Sequence, residues 1–593
     1  MWVRFFYLEL KTIPDIEYNR KNMSIVIREG YIMDNVISIG NQGFDDIRDK
    51  KCFYIDKTSF IKEWWSSNDV ITLINRPRRF GKTLNMSMVN CFFSNTYKGR
   101  SELFEGLDIW KYEEYRNIQG KYPVIFISFA AVKADNITDA KKQIKAQIAN
   151  IYNDNRYILD GDSLSTNEKK TFENVSIDMG DVEAAMSIND LCRYLERYHS
   201  RKVIVLLDEY DTPMQEAYIN GYWNELAAFM RSMFNATFKT NTCLERAIMT
   251  GITRISKESI FSDLNNLKVV TCMSDKYAES FGFTEREVYA SLCQMGLEHD
   301  FDNVKSWYDG FTFGSHKDIY NPWSITNYLK EKKILPYWAS TSSNGLANKL
   351  IRISSSVIKE QMEDLLKNNE IEVTFDEQIV FNQLDTDENA IWSLLVASGY
   401  LKVENTEYIG IMREPRYHLR ITNMETYSMF MNMFKGWFNN SIANYNGFVK
   451  ALLAGNIKDM NSYMNEVALA TFSSFDAGTH PGGRTQPERF YHGFVLGLLV
   501  ELRDIYEVKS NKESGYGRYD VCLIPKHKNN DAIIMEFKVL DVSEEKCLED
   551  TVRAAHKQIE DKCYDAELTE RGINKNNIRH YGFAFEGKKV LIG

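Results

Sequence analysis

The chain has 593 residues, too many for one hydrophobic core, so roughly two to four domains are expected. Apolar residues make up 44%, charged residues 26% and aromatics 13%, with only 10 prolines, which excludes a largely disordered protein. Acidic residues exceed basic ones by 82 to 72, so any nucleic-acid site must be a local patch rather than a general basic surface.

Nine scattered cysteines form no C-x-x-C pair, and nine histidines are equally dispersed, which argues for a reducing compartment and against a zinc site. No apolar run approaches the ~18 residues of a membrane span. The opening residues lack the apolar region and cleavage site of a signal peptide. A cytoplasmic, non-membrane protein is expected.

Residues 1–33 carry mixed charge without periodicity and read as a peripheral extension, with Met23 and Met33 equally eligible as starts. Residues 37–58 contain Gly40, Gly43, Phe44 and Tyr54-Ile-Asp-Lys-Thr58, followed by a helix-like stretch to Trp65. Such a segment either lies over a nucleotide base or acts as a packing strap.

Residues 71–74 form a short apolar run, the pattern of a buried strand. Arg76-Pro-Arg-Arg-Phe-Gly-Lys-Thr83 follows, and residues 84–93 have helical character. Strand, loop, Gly-Lys-Thr and helix form the layout of a phosphate loop. There backbone N–H groups and the helix N-terminus cradle phosphates, Lys82 reaches phosphate oxygens and Thr83 holds Mg²⁺. Arg76 stands where the usual motif has glycine. With Pro77, Arg78, Arg79 and Phe80 before Gly81, the loop is stiffer and more cationic than the standard form.

Residues 122–129 are a second buried strand, and residues 134–200 are mostly helical with a polar loop near 160–166. Five apolar residues then lead into Asp208-Glu209. This strand end is expected to deliver Asp208 to the magnesium shell and Glu209 to the attacking water. Together, Lys82 and Asp208 predict ATP binding. A helix over 220–240 precedes a strand at 246–254, where Thr250 and Thr253 are candidates to sense the last phosphate. Arg254 is a candidate to reach phosphate in cis or across a subunit boundary, which makes a homo-oligomer one expected arrangement.

From residue 281 onward the pattern is helical, as in a lid. Trp307-Tyr-Asp-Gly-Phe311 opens an aromatic, glycine-punctuated loop that runs to Gly314, and Tyr320-Asn-Pro-Trp-Ser324 leads into a helix. Both are expected to make tight turns, the alternative being that they read a substrate. Residues 345–425 suggest a small helical domain with strand pieces at 391–403 and 416–421, winged-helix-like in pattern. Residues 426–475 are helical and read as a connector.

The C-terminal part has its own constellation. Residues 489–502 are apolar at helical spacing, with Glu488 at their start. A glycine-broken turn then enters a strand headed by Asp520, and residues 532–539 form another strand. Side chains alternate along a strand, so Glu536 and Lys538 share a face, and an antiparallel partner brings Asp520 alongside. Two carboxylates on a hard divalent cation, with a lysine at the attacking water, suit phosphodiester hydrolysis. Gln558, on a helix over 552–564, is a further candidate. Arg484, Arg489, Lys509, Lys512 and Arg518 form a candidate phosphate-facing patch.

With Tyr54–Thr58, the phosphate loop, Leu206-Leu-Asp-Glu-Tyr-Asp211, Met249-Thr-Gly-Ile-Thr-Arg254, Trp307–Phe311, Tyr491-His-Gly-Phe494, Gly515–Asp520 and Glu536-Phe-Lys538 in view, the chain resembles a known family. It is similar to bacterial and archaeal AAA-ATPase-like proteins with a C-terminal PD-(D/E)XK nuclease-superfamily domain. The resemblance spans 34–593, and Arg76 belongs to that family's own loop. It implies metal ligation by Asp520 and Glu536, a catalytic Lys538, and supporting roles for Glu488 and Gln558.

The expected fold is α/β. A P-loop NTPase (AAA-like) parallel sheet occupies 34–275, a helical lid 276–345, a winged-helix-like middle 346–425, and an α/β PD-(D/E)XK nuclease-like domain 426–593. The expected function is an ATPase using Mg²⁺, coupled to a Mg²⁺-dependent nuclease on DNA. The alternative is a nucleotide-switched module that binds nucleic acid or protein through an inactive nuclease fold.

Overall fold

The structure, a computed structural model, describes residues 36–253, 264–339, 345–366, 368–377, 387–438, 442–471, 505–514, 517–527, 530–541, 543–586 and 589–593, with Phe261, Leu384, Val495, Leu499 and Leu502 between them. The N-terminal extension, Arg254, Arg484, Glu488 and Arg489 lie outside the described residues. The chain divides into two compact units, Met1–Ser343 with Glu372–Thr426, and Asn344–Ile371 with Tyr427–Gly593. The segment expected as one winged-helix-like domain is therefore divided between them.

The first unit is organised on a parallel sheet of five strands. These are β1 (Ile71–Asn75), β2 (Val124–Ser128), β3 (Val203–Asp208), β4 (Leu244–Gly251) and β5 (Leu267–Val270), in the order β2-β3-β4-β1-β5. β1 and β3 are buried along their whole length, which is why they spell out as mostly apolar runs. Parallel pairing sends every C-terminal strand end to one edge. The register sets Asn75 beside Gly251 and Ser128 beside Asp208. Helices Ser59–Ser66 and Lys82–Phe93 bury Phe60, Trp64, Met88 and Phe92 in the core with Ile204 and Ile248. Between β2 and β3 run helices Ile137–Asp154 and Asp181–His199, the first capped by the Asn136 side chain, which accepts from the Asp139 amide.

The Tyr54–Thr58 segment is a packing strap with a defined chemistry. Asp56 Oδ1 accepts from the Thr58 amide and hydroxyl, and its Oδ2 accepts from the Asp108 amide at 2.7 Å. Lys57 is buried against Glu287, with its ammonium 2.7 Å from the carboxylate. Tyr54 packs edge-on against Phe44, and its hydroxyl donates to Met88 Sδ.

Residues 283–331 hold helices Glu285–Gln294, Phe301–Tyr308 and Pro322–Glu331 around a small sheet of β6 (Phe283–Thr284), β7 (Phe311–Phe313) and β8 (His316–Tyr320), ordered β6-β8-β7. The aromatic loop expected at 307–314 is thus half strand. Phe311 and Phe313 pair with β8 and clamp the Phe80 ring between them. A second small sheet, β10-β11-β9, comprises β9 (Ile371–Val373), β10 (Leu401–Ile409) and β11 (Glu414–Ile421). The strand expected from 391 is instead the helix Ala390–Ala397, and the strand begins at Leu401.

The second unit has a mixed sheet of β12 (Tyr506–Ser514), β13 (Gly517–Pro525), β14 (Ala532–Val539), β15 (Ile578–Glu586) and β16 (Lys589–Ile592), in sequence order. β14 and β15 are parallel and the other pairs antiparallel. Helix Leu548–Asp561 crosses between the parallel pair. Helices Ile442–Ala454 and Ile457–Thr471 are not a bare connector. Phe448, Leu452, Met460 and Met464 make one core with Leu523, Met535, Phe537 and Phe583. Asn461 and Asn465, one turn apart, each donate to and accept from the backbone of β16 at Ile592 and Val590. Two side-chain amides therefore satisfy the outer edge of the sheet.

Candidate functional site

At the C-terminal edge of the parallel sheet, Gly81 turns the chain with φ 77°, the left-handed conformation that glycine adopts without cost, and opens helix Lys82–Phe93. The Lys82 ammonium donates to the carbonyls of Arg76 at 2.9 Å and Pro77 at 2.8 Å. Burial holds its pKa below the ordinary lysine value, opposed by the charges of Glu209, Asp211 and Asp208. The Thr83 hydroxyl donates to Asp208 Oδ2 at 2.8 Å, and the Thr250 hydroxyl donates to Asp208 Oδ1 at 2.5 Å. Burial pushes the Asp208 carboxyl up, while the two hydroxyls and Lys82 pull it down. Strands β1, β3 and β4 thus deliver Thr83, Asp208 and Thr250 to one point.

Glu209 has a left-handed backbone (φ 52°), its amide donates to Thr250 Oγ1 at 3.3 Å, and its carboxylate accepts from Thr212. Glu209 lines a cleft of about 510 Å³ with Arg78, Arg79, Lys82, Thr83 and Trp323. Residues 37–58 contribute Gly40, Phe53 and Tyr54 to the same wall.

Several expected site residues take other positions. Arg76 adds no charge to the loop's open side. Its guanidinium is fully buried, donating to the carbonyls of Asn75 (3.0 Å), Thr271 (2.6 Å) and Lys276 (3.2 Å), and it lies over the Phe313 ring. Phe80 is a core ring, so it offers the loop only its backbone. Pro77 contributes its carbonyl to Lys82. Thr253 does not join Asp208; its hydroxyl and amide both donate to Asp211 Oδ2.

Asp211 is a buried organiser that pattern reading leaves without a role. It accepts from Ile252 and Thr253, and so shapes the turn after Thr250. A Cβ on Gly251 would stand 2.6 Å from the Tyr210 ring, so only glycine fits there. The available signal was a third acid, Asp211, just beyond Asp208-Glu209.

In the second unit Gln558 meets Glu536, and Asp520 bonds the backbone of Phe537, the next residue along the same strand. The β13–β14 ladder ends at Val521↔Met535, and beyond it the Phe537 amide donates to Asp520 Oδ2 at 2.8 Å. Glu536 is buried, and the Gln558 side-chain nitrogen donates to its Oε1. Gly582, paired with Glu536 across β14–β15, lets the helix approach, since a Cβ there would lie 3.0 Å from Ala555 Cβ and from the Val552 carbonyl. Lys538 sits half-buried two residues along the strand. Lys509 leaves the expected phosphate-facing patch: its ammonium is 2.6 Å from Glu567 and 3.5 Å from Glu507. The side chains of Lys512 and Arg518 are outside the described set.

The sheet order and the loop–helix junction define the first unit as an AAA-like P-loop domain, and the mixed sheet of the second is that of a nuclease domain. Residues 38–261 match the AAA-ATPase-like family, described as Predicted AAA-ATPase, and residues 486–593 match the PD-(D/E)XK nuclease superfamily. The chain thus carries an AAA-ATPase-like domain followed by a C-terminal PD-(D/E)XK nuclease-superfamily domain. It is also 24% identical over 553 residues to an uncharacterized protein in the vnfD 5′ region of Azotobacter chroococcum mcd 1, covering 90% of this chain and 94% of that protein.

Proposed function

We propose that this protein binds and hydrolyses ATP with magnesium, and that its C-terminal domain is a magnesium-dependent nuclease acting on DNA. The observation that carries the first half is the meeting of Thr83, Asp208 and Thr250 beside Lys82. A hydroxyl and a carboxylate side by side are the oxygen donors a hard cation takes. Thr83 and Asp208 would hold magnesium, which supplies charge neutralisation for the phosphates. Lys82 exchanges two carbonyls for phosphate oxygens, Thr250 orients Asp208, and Glu209 orients the attacking water.

In the C-terminal domain, Asp520 and Glu536 would hold the divalent cation that neutralises charge on the phosphodiester. Gln558 fixes the Glu536 carboxylate, and Lys538 would serve the attacking water. The test incubates full-length protein with linear and circular DNA, with and without Mg²⁺ and ATP. Strand breaks that need Mg²⁺ and vanish in Asp520→Ala and Glu536→Ala support the reading. Binding without breaks favours the nucleotide-switched binding module, to which the formal charge of −10 and the paired Lys509 lend weight.

A further inference from the structure

Arg79 occupies a distinct position in the nucleotide cleft. Its guanidinium lies 4.4 Å over the Trp323 ring, and both residues line the cleft. Among the described residues, no carboxylate lies within ion-pair distance of Arg79. The neighbouring cations are already engaged: Arg76 by three core carbonyls, Lys82 by two loop carbonyls, and Arg78 facing Gln215. Arg79 also has φ 66°, a left-handed conformation that costs a non-glycine residue free energy and that tends to persist at ligand-binding loops.

Trp323 is held to the loop by a specific joint. Asn321 Oδ1 accepts from the Trp323 and Ser324 amides and so caps helix Pro322–Glu331. The Asn321 side-chain nitrogen donates to the Arg78 carbonyl at 3.3 Å. The indole is therefore indexed to the backbone that carries Arg79.

We propose that Arg79 distinguishes nucleoside triphosphate from diphosphate in this cleft, and that Trp323 is the positioning residue that holds the guanidinium ready. The inference rests on the nucleotide-binding reading above. Lys82 and the helix N-terminus serve the phosphate seated in the loop turn. A further guanidinium at the cleft mouth, with no carboxylate to neutralise it, matches the added charge of one more phosphate. Guanidinium–phosphate pairs are charge-assisted and bidentate, stronger than a cation on a partly exposed ring. An arriving terminal phosphate takes the edge N–H groups of Arg79 while the guanidinium face stays on Trp323.

The test is equilibrium binding of Mg·ATP and Mg·ADP to the full-length protein by titration calorimetry, for wild type, Arg79→Ala, Arg79→Lys, Trp323→Phe, Trp323→Ala and Lys82→Ala. Arg79→Ala is expected to weaken ATP about tenfold or more and ADP less than about twofold, with an unchanged thermal midpoint because Arg79 is exposed. Arg79→Lys restores part of the loss. Trp323→Phe keeps the ATP preference, and Trp323→Ala reduces it less than Arg79→Ala does. If wild type binds nucleotide, Lys82→Ala does not, and Arg79→Ala leaves the ATP-to-ADP ratio unchanged, the inference alone falls. If wild type binds neither nucleotide, the nucleotide reading falls and takes this inference with it.

Discussion

Arg76→Ala is expected to damage the stability of the first unit rather than its phosphate chemistry. The guanidinium makes three hydrogen bonds to buried carbonyls and packs 4.4 Å over Phe313. Burial lowers its pKa to about 10, so it stays charged at pH 7, at a cost of about 3 kcal/mol relative to the unfolded chain. Against that cost stand three charge-assisted hydrogen bonds of about 1.5–3 kcal/mol each and a desolvated cation–π contact of about 2 kcal/mol. Truncation to alanine removes the cation, leaves the carbonyls of Thr271 and Lys276 without this donor, and opens a cavity. The expected loss is about 3–5 kcal/mol. Arg76→Met, which refills the volume, should lose less. The assay is urea unfolding at pH 7 without nucleotide, followed by near-UV dichroism and reported for the first unit's transition. An unchanged midpoint together with a selective loss of ATP affinity would show that Arg76 is a phosphate ligand and would refute the argument.

Three further outcomes are expected. Burial pushes Glu425 up to about 7, although it accepts from Ser324 and from the amides of Trp338 and Ala339. Its folded pKa lies above the unfolded value, so stability is full below about pH 4.5 and falls as pH rises to about 7. Glu425→Gln should remove up to ~3 kcal/mol of that slope in unfolding measured across this window, leaving the contribution of Asp309, also pushed up to about 7 by burial and by Asp318. Thr250→Val keeps the shape but deletes the bond to Asp208, so ATP turnover should fall about tenfold with a thermal midpoint shift of a few degrees at most, read by phosphate release. The double variant Asn461→Ala, Asn465→Ala exposes the β16 edge, and light scattering should report self-association that wild type lacks.

Strands β1 and β3 were legible because burial on both faces makes them mostly apolar runs, and Asp208 at the end of β3 had no packing reason to be there; β2, buried on alternate residues only, still reads apolar. The edge strand β5 was not, since Leu267-Lys-Val-Val is four residues long and only half covered. The helix Ala390–Ala397 read as a strand because Ile391-Trp-Ser-Leu-Leu-Val is apolar but for Ser393, and periodicity cannot separate a buried helix from a buried strand over so short a run. The chemical residues were found by type and spacing, but direction was hidden. Nothing in Arg-Pro-Arg-Arg shows that Arg76 turns into the core while Arg79 faces the cleft. The place of Gln558 beside Glu536 depends on a close helix approach at Gly582, a long-range fact that no local pattern carries.

The most direct measurement is saturation binding of Mg·ATP to the full-length protein and to Lys82→Ala at fixed ionic strength. One site per chain is expected in wild type and a loss of about a hundredfold or more in Lys82→Ala, with the variant's native near-UV dichroism retained. Equal affinity in the two proteins, or no saturable binding by wild type, would contradict it.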